Sequence, residues 1–542
     1  MIYEEKRDHN KVIVAMSLLL LAFLFAPVFL EIQELVSNEG FYLAAVREMD
    51  HYPPLMKVQG DVCYGGFPFY PMLVRALVNI GIPMIIALRL LPILCFFAIA
   101  GIVFLTAWKA KDLTAGIVGS SVVMLNFLSI EKFSGGNPVM LGTLGVFSAW
   151  MVWYALGFWR GKWKLAWITT FLIAGMTFYT LGFTGLIMII FPMLFHRRPL
   201  MIWTKPRGQA FFIGLAILIL FVLFWGFPRW TLLNEPVWER TMISFPSARE
   251  YFLHLLTFPF DAAISLMPWT LFAWAPFCPA IVPLDENPML SRYLRTLFLG
   301  TFVLLWLSPL TQSRDVFFMI PPLAVLIALN YWIVVRRYGW RLLKLFNFTA
   351  VLILLFCAAS FMYLIISRDS LPTLVTDMFR DMSDTPYWKL ALAGTFLGGI
   401  AALTTIFMCL SGERVWLAIL MLMSAMILPY RTMILPYQNL NRSKEQIGNT
   451  FREAIPEKET PDVVYRMHNI PPYYSEMHYF GITLKTIGAA EELPSEKTVV
   501  YVFSQVVPSA PERIWERVSF VSYKKQKIEL WRGKLKMEED YE

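Results

Sequence analysis

The chain has 542 residues, of which 57% are hydrophobic and only 16% charged, and its net charge is +8. Soluble domains average about 25% charged residues, so this composition excludes an ordinary soluble protein and indicates a polytopic membrane protein. Basic cytoplasmic loops account for the excess of Lys and Arg, and nothing in the charge balance requires a nucleic-acid partner.

Apolar runs recur along the first 430 residues, and many are long enough to cross a bilayer, which takes about 17–25 residues. No small-residue cleavage site follows the first run, so we interpret it as a retained helix and not as a signal peptide. Gly182 and Gly185 interrupt the stretch 164–196, which favours two helices there. We predict thirteen spans, at 11–30, 83–107, 114–130, 139–158, 164–178, 182–196, 209–226, 261–283, 296–310, 317–335, 345–366, 388–410 and 415–430.

The charges of the loops predict the orientation of these spans. If Lys6, Arg7 and Lys11 at the N-terminus are cytoplasmic, every loop on the same side is basic, as the positive-inside rule requires. An odd number of spans then puts the tail on the opposite side. The same side receives three long segments, 31–82, 227–260 and 367–387.

Segment 31–82 has the features of a cap over the membrane surface. Within it, NEGFYLAAVREM has Tyr42, Ala45, Val46 and Met49 at helical spacing, which predicts a short juxtamembrane helix. The Pro and Gly residues of YPPLMKVQGDVCYGGFPFYPML predict an irregular second piece. Irregular backbone at a membrane needs protein partners for its polar groups. We therefore expect a loop-rich cap that covers a membrane cavity.

The tail, residues 431–542, has a polar composition and predicts a soluble α/β domain, distinct from a transmembrane domain that spans 1–430. The stretch SKEQIGNTFREAI places Ile447, Phe451 and Ile455 on one face of a helix. DVVYRM and KTVVYVF predict strands, and ERVSFVSYKKQKIELWRG predicts a hairpin or a strand pair. At about 110 residues, the tail is long enough to fold by itself.

Several motifs follow one another along nearly the whole chain: NEGFYLAAVREM, GGFPFYPML, LRLLPIL, SLMPWTLF and WLSPLTQSRDVFFMIPPLAVLIALNYW. In this order and spacing they resemble the GT-C membrane glycosyltransferases. The resemblance is to the branch of the lipid A aminoarabinose transferases and the protein O-mannosyltransferases. It implies the GT-C fold, with about thirteen transmembrane helices, periplasmic juxtamembrane helices and a periplasmic α/β tail.

The resemblance also implies a reaction and a location. A sugar would pass from a polyprenyl-phosphate donor to a cell-envelope acceptor, with inversion, at the outer face of a bacterial inner membrane. The acceptor would be a glycolipid such as lipid A, another glycan or a protein. Such transfer needs a carboxylate that takes the proton of the acceptor hydroxyl and cations that stabilise the leaving phosphate. No cofactor is required, and a divalent cation is left open.

The chain departs from the family pattern at four polar positions. The first acidic position of the family falls on Asn38. A second, in the loop before the fourth helix, falls on Asn137, and Glu131 is the nearest acid. Gly66 and Leu181 stand where the family has lysine. Because an asparagine accepts no proton usefully near neutral pH, a different residue has to act as the base.

Glu39, the acidic neighbour of Asn38, is the candidate catalytic base; the alternative is a carboxylate that only interacts favourably with a helix dipole. Arg314, in the short loop TQSRD, is the best candidate for phosphate contact because a guanidinium fork suits phosphate oxygens. Its alternative role is an interface anchor paired with Asp315. The remaining candidates for substrate contact are Arg240, Arg47, Tyr42, Tyr70, Asn38 and Asn137. For Arg240 the alternative is an ordinary solvated loop, for Arg47 it is an ion pair with Glu48 or Asp50, and for the tyrosines it is a role as interface aromatics.

The altered positions leave two other functions open. One is a GT-C-shaped protein with weakened or lost catalysis that binds a polyprenyl lipid. The other is a membrane transporter. Against the transporter, the two halves of the sequence lack the matching broken helices of inverted repeats. Ionisable residues inside the spans are also scarce, mainly Arg75 and Arg89 near helix ends, whereas ion pathways need several.

Overall fold

The structure is a computed structural model, and it describes residues 11–25, 33–36, 38–49, 56–63, 66–197, 199–202, 208–233, 247–365, 388–412, 414–438, 443–467, 470–494, 497–523 and 526–536. Helices form most of the first 438 residues. They are α1 (Lys11–Leu24), α2 (Glu39–Arg47), α3 (Phe69–Asn79), α4 (Met84–Ala110), α5 (Leu113–Met124), α6 (Phe127–Lys132), α7 (Val139–Tyr154), α8 (Trp163–Leu181), α9 (Phe183–Leu194), α10 (Gln209–Leu233), α11 (Ala248–Ser265), α12 (Thr270–Ala273), α13 (Pro288–Leu307), α14 (Ile320–Ile365), α15 (Trp388–Ser411), α16 (Val415–Pro429) and α17 (Leu435–Gln438).

Within the described part of the chain, eight helices are long and apolar enough to cross a membrane, or up to nine if the bent pair 248–265 and 270–277 forms one span. Shorter apolar helices, α5 and α9 among them, occupy other predicted spans. A polytopic helical membrane protein is thus confirmed, whereas the number of thirteen spans stays a prediction. Helices α8 and α9 are separate, as predicted, because Gly182 between them has a φ of +66°.

Two predicted spans, 317–335 and 345–366, lie in one continuous helix, α14, which has 46 residues. The basic loop predicted between them, with Arg336, Arg337, Arg341 and Lys344, is therefore wrong. Arginine and lysine are good helix formers, and no proline interrupts this stretch. Charge alone does not end a helix.

The predicted span 261–283 is wrong in its bounds. Helix α11 begins earlier, at Ala248, because Ser247 and Glu250 form a capping box in which the Ser247 N–H donates to the Glu250 carboxylate at 2.8 Å. After Ser265 the chain bends by 107°. The indole of Trp269, in the SLMPWTLF motif, is buried and donates to the carbonyl of Leu125 at 2.8 Å, which attaches the bend to α5.

The described part of the tail contains a five-stranded sheet with the order β4-β3-β5-β7-β6. Its strands are β3 (Val463–Met467), β4 (Thr483–Ile487), β5 (Val499–Ser504), β6 (Arg513–Tyr523) and β7 (Gln526–Leu535), and its helices are α18 (Ser443–Glu453) and α19 (Tyr474–Phe480). Strand β3 runs parallel to β4 and β5, and the remaining pairs are antiparallel.

The tail elements agree with the sequence patterns. The predicted strands are β3 and β5, and the predicted hairpin is β6–β7. Ile447, Phe451 and Ile455 are all buried in the core against the sheet, but α18 ends at Glu453, so Ile455 lies just after the helix and not on its face. Strand β4 and helix α19 were not predicted. The division of the chain into domains at residue 430 stays a prediction.

The cap consists of α2, a small antiparallel hairpin of β1 (Met56–Val58) and β2 (Asp61–Cys63), and α3. The turn of the hairpin has positive φ angles at Gln59 and Gly60, and the carboxylate of Glu48 accepts hydrogen bonds from both of their N–H groups, at 2.6 and 2.8 Å. The carbonyl of Gln59 accepts from the Thr486 N–H at 2.9 Å. The cap is therefore bound to the sheet of the tail.

Candidate active site

A cavity of about 630 Å³ opens where three segments meet. The first, 33–39, leads into α2; the second, 131–137, joins α6 to α7; the third, 312–314, precedes α14. Tyr430 and Leu435, after α16, complete the wall. Each of the three segments is a loop or a helix end held by the bundle, which is where binding and catalytic residues concentrate in proteins.

Glu39 lies in the first turn of α2, where a carboxylate interacts favourably with the helix dipole. Its side chain is only 3% exposed. One oxygen accepts from the Nε of Arg89 at 3.1 Å and from the N–H of Gly136 at 2.7 Å. The other accepts from the Nη2 of Arg89 at 2.7 Å and from the N–H of Val36 at 2.9 Å. A carboxylate offers about four acceptor sites, so all of them are used.

Arg89 holds the whole acidic segment against α4. Besides the two bonds to Glu39, its guanidinium donates to the carbonyls of Gln33 at 2.7 Å and Glu34 at 3.0 Å. The side chain is 1% exposed. The sequence places Arg89 in the motif LRLLPIL, near the end of an apolar span, and predicted no role for it. An arginine inside an apolar span was the signal in the sequence that could have predicted this ion pair, because buried charges in membranes pair with other groups.

Asn38 and Asn137, which stand at the acidic positions of the family pattern, both line the cavity. Asn38 is exposed, and its side chain makes no capping bond to α2. Asn137 accepts from the Val139 N–H at 3.0 Å and donates to the Gly135 carbonyl at 3.2 Å. It therefore shapes the loop at the start of α7 while its amide remains at the cavity wall.

Two cations lie at the cavity where the second and third segments meet. Arg314 is half-buried there, and its Nε donates to the side chain of Gln312 at 2.7 Å. The ammonium of Lys132, which was not predicted, donates to the Ser313 hydroxyl at 2.6 Å. Asp315 accepts from the Gln312 N–H at 2.7 Å, and its burial raises the pKa of the carboxyl. Its carboxylate thus holds the turn that presents Arg314.

Glu39, Arg314, Asn38 and Asn137 are thus brought together at one cavity. That Glu39 is the catalytic base, and the others bind substrate, stays a prediction. Arg240 lies outside the described residues.

Tyr42 and Tyr70 pack against each other behind the cavity, with ring centroids 5.2 Å apart. The Tyr70 hydroxyl is buried and donates to the Leu88 carbonyl at 2.7 Å. Burial raises the pKa of Tyr42 to about 12, against the opposing charge of Arg314. Both phenols are therefore neutral at physiological pH, and substrate contact by Tyr42 and Tyr70 stays a prediction.

Arg47 lies at the other end of α2, against α19 of the tail. It lines a small cavity together with Glu48 and His478, away from Glu39 and Arg314. Burial lowers the pKa of its guanidinium, and Glu48 acts in the opposite direction. Phosphate contact by Arg47 stays a prediction, and the contacts that the structure describes are with the tail.

Among the residues that the structure describes, no group of three His, Cys, Asp or Glu side chains is arranged to hold a metal ion. The cavity offers one tightly bonded carboxylate, Glu39, and one exposed carboxylate, Glu131. It also offers the cations Arg314 and Lys132 and several neutral amides. Such a set can bind an anionic group and take up a proton.

Solved structures of ArnT have a similar fold over nearly the whole chain. ArnT from Cupriavidus metallidurans bound to undecaprenyl phosphate is 15% identical, with 96% of this chain and 98% of that chain covered and a TM-score of 0.68. Its apo state is 13% identical, with 96% and 97% covered and a TM-score of 0.64. The chain has the fold of ArnT. The expected resemblance to GT-C glycosyltransferases is therefore confirmed at the level of the fold.

The apo oligosaccharyltransferase from Archaeoglobus fulgidus is 12% identical over 90% of this chain and 65% of that chain, with a TM-score of 0.44, which is too low to support an inference. No family model matches the sequence. No curated protein matches it either.

Proposed function

We propose that the protein is a GT-C glycosyltransferase that moves a sugar from a polyprenyl-phosphate donor to a cell-envelope acceptor. The observation that carries this proposal is the single cavity at which Arg314 and Lys132 meet two carboxylates, Glu39 and Glu131. The ArnT fold supports it, and so does the ArnT structure that contains undecaprenyl phosphate. The two neighbouring cations, Arg314 and Lys132, suit a ligand that carries a phosphate monoester or diester on a lipid.

The chemistry follows from the charges of the cavity. As the acceptor oxygen attacks the anomeric carbon, the bond from that carbon to the phosphate oxygen breaks, and the phosphate leaves with the electron pair. Arg314 and Lys132 would stabilise the negative charge that develops there, through charge-assisted hydrogen bonds. A carboxylate in the cavity would take the proton of the acceptor hydroxyl.

The location and acceptor belong to the same proposal. The N-terminus would be cytoplasmic, and the cavity and the tail would lie on the periplasmic side of a bacterial inner membrane. The tail adjoins the cavity segment, because the carboxylate of Glu34 accepts from the N–H groups of Lys444 at 2.7 Å and Glu445 at 3.3 Å. A glycolipid such as lipid A, a glycan or a protein would approach from this side.

A second candidate is a GT-C-shaped protein that binds the polyprenyl lipid without catalysis. It is favoured by the two neutral amides, Asn38 and Asn137, that line the cavity at acidic positions of the family. The ArnT fold gives no support to the transporter.

The test uses membranes that contain the full chain and a labelled polyprenyl-phosphate sugar, with label followed on lipid and on protein. Removing the Arg314 guanidinium, in Arg314→Ala, should lower transfer by about 10²-fold, the usual effect of one lost electrostatic donor. Arg292→Ala is the matched control, because Arg292 is exposed on α13 outside the cavity, and it should transfer normally. Binding of the lipid without transfer of any sugar would favour the second candidate.

A further inference from the structure

Two carboxylates line the cavity within the described ranges, and they differ in burial and in the number of hydrogen bonds that their oxygens accept. The Glu39 oxygens accept four hydrogen bonds, two from Arg89 and two from backbone N–H groups. To take a proton, Glu39 would have to release at least one of these donors. A buried donor that is left unpaired has lost its hydration without a compensating bond, and this cost is larger for a charged group. The bonding of Glu39 therefore opposes its use as a base.

Glu131, in contrast, is exposed to the cavity. Its side chain is 61% exposed at the cavity, and its carboxylate lies 3.8 Å from the ammonium of Lys132, a longer separation than in a direct hydrogen bond. An acceptor hydroxyl that enters the cavity can reach this carboxylate without the removal of any buried bond. Availability of a lone pair within hydrogen-bond reach is the first requirement of a general base.

The element that carries Glu131 is fixed by buried hydrogen bonds. Asn126 caps α6 by accepting from the Ser129 N–H at 2.8 Å, and the Ser129 hydroxyl donates to the Val123 carbonyl at 2.7 Å. Next to Glu131, Lys132 contacts the Ser313 hydroxyl, which joins α6 to the turn that carries Arg314. The base position and the phosphate-binding position are thereby held relative to each other.

We propose that Glu131 is the catalytic base and that Arg89 and Glu39 form a positioning pair. The inference rests on the proposed glycosyltransferase function. In the step, the acceptor oxygen forms the bond to the anomeric carbon and its proton moves to Glu131. The bond from that carbon to the donor phosphate breaks, and the polyprenyl phosphate leaves with the electron pair. Glu39 keeps its four bonds throughout and holds the segment 33–39 at the cavity wall.

The experiment compares Glu131→Gln with Glu39→Gln in the full chain, using labelled polyprenyl-phosphate sugar. Glu131→Gln should lower transfer by about 10²–10⁴-fold, the range for loss of a general base, with the thermal midpoint of the wild type. It should also keep the rise in the midpoint that polyprenyl phosphate produces. Glu39→Gln should lower the midpoint, because an amide cannot accept all four bonds, and it should lower transfer by its folded fraction less than Glu131→Gln does.

A second measurement separates a base from a merely structural residue. Azide is a nucleophile that has no proton to lose, so it does not need the base. With added azide, Glu131→Ala should form the glycosyl azide and release polyprenyl phosphate, although its transfer to hydroxyl acceptors is lost. Arg314→Ala should form much less of the azide product, because stabilisation of the leaving phosphate is still required.

Three outcomes would overturn the inference. If Glu131→Gln transfers as well as the wild type, Glu131 is not the base. If Glu39→Gln loses transfer by about 10²-fold or more at an unchanged midpoint, and azide restores product formation, the base is Glu39. If the wild type transfers no sugar from any donor, the glycosyltransferase function itself fails and the base with it. The activity of the wild type thus distinguishes a wrong assignment of the base from a failure of the glycosyltransferase function.

Discussion

At the scale of residues, the Arg89–Glu39 pair has a larger effect on local structure than on net stability. A buried ion pair contributes little compared with apolar residues of the same volume, because both charges lose their hydration. Breaking one side is different, because the remaining charge is buried without its partner. The Arg89 guanidinium also donates to two carbonyls of the segment 33–36. Its loss would therefore detach this part of the cavity wall from α4.

We therefore expect Arg89→Ala to lower the free energy of unfolding by about 3–5 kcal/mol, the usual cost of an orphaned buried charge. Thermal unfolding of the purified full chain in detergent would measure this. Arg292→Ala removes an arginine that is exposed and should leave the midpoint nearly unchanged. Equal midpoints for the two variants would contradict a structural role for the pair.

Gly40 is the second residue for which the structure makes a sharp prediction. A Cβ on Gly40 would lie 2.4 Å from the backbone nitrogen of Ser475, closer than real contacts allow, so α2 and α19 approach each other only through a glycine. Gly40→Ala should cost about 1–3 kcal/mol, the range for overpacking, and should speed proteolysis of the tail. Gly101→Ala meets nothing within 4 Å and should be neutral or slightly stabilising. A neutral Gly40→Ala would show that the two helices can separate without loss.

At the scale of elements, the contact of α2 with α19 contains a titratable group. Burial, together with the charge of Arg47, lowers the pKa of His478 from 6.5 to about 4. Above pH 6.5 the imidazole is neutral in both the folded and the unfolded chain. As the pH falls from 6.5 to about 4, the unfolded chain takes up a proton that the folded chain does not, so the free energy of unfolding falls.

We expect His478→Gln to be less sensitive to acid than the wild type over that range. The difference between the two unfolding free energies should change by about 1–3 kcal/mol between pH 7 and pH 4, and stay constant above pH 7. Chemical unfolding of both proteins at a series of pH values would show it. Parallel curves over the whole range would mean that His478 remains accessible to protons in the folded state.

At the scale of the whole molecule, the hydropathy pattern predicted the helical class and the positions of most spans, because burial in a bilayer requires about twenty apolar residues in a row. It failed where something other than hydropathy determines a helix end. Helix α14 continues through four basic residues, and α11 begins at a capping box inside a segment predicted to be a loop. Such ends depend on capping and on contacts that hydropathy does not record.

The site was predictable where motif order was enough. The family pattern pointed to Asn38, Glu39 and Asn137. The short loop TQSRD pointed to Arg314, and all four residues line the cavity. The use of each group was not predictable, because it depends on contacts across the fold. Arg89 reaches Glu39 from 50 positions away. A pattern of residue types cannot distinguish a buried carboxylate with four donors, Glu39, from an exposed carboxylate, Glu131.

The segment 33–36 finds its partners at the far end of the chain. The Leu35 N–H donates to the hydroxyl of Tyr479, 444 positions later, and Glu34 binds the start of α18 at Lys444. At a synthesis rate of about 5–20 residues per second, a ribosome needs on the order of half a minute to a minute to supply these partners. Throughout that time the nascent protein carries an incomplete cavity. A premature stop codon before residue 443 would therefore leave an unfinished site, however well the membrane helices had inserted.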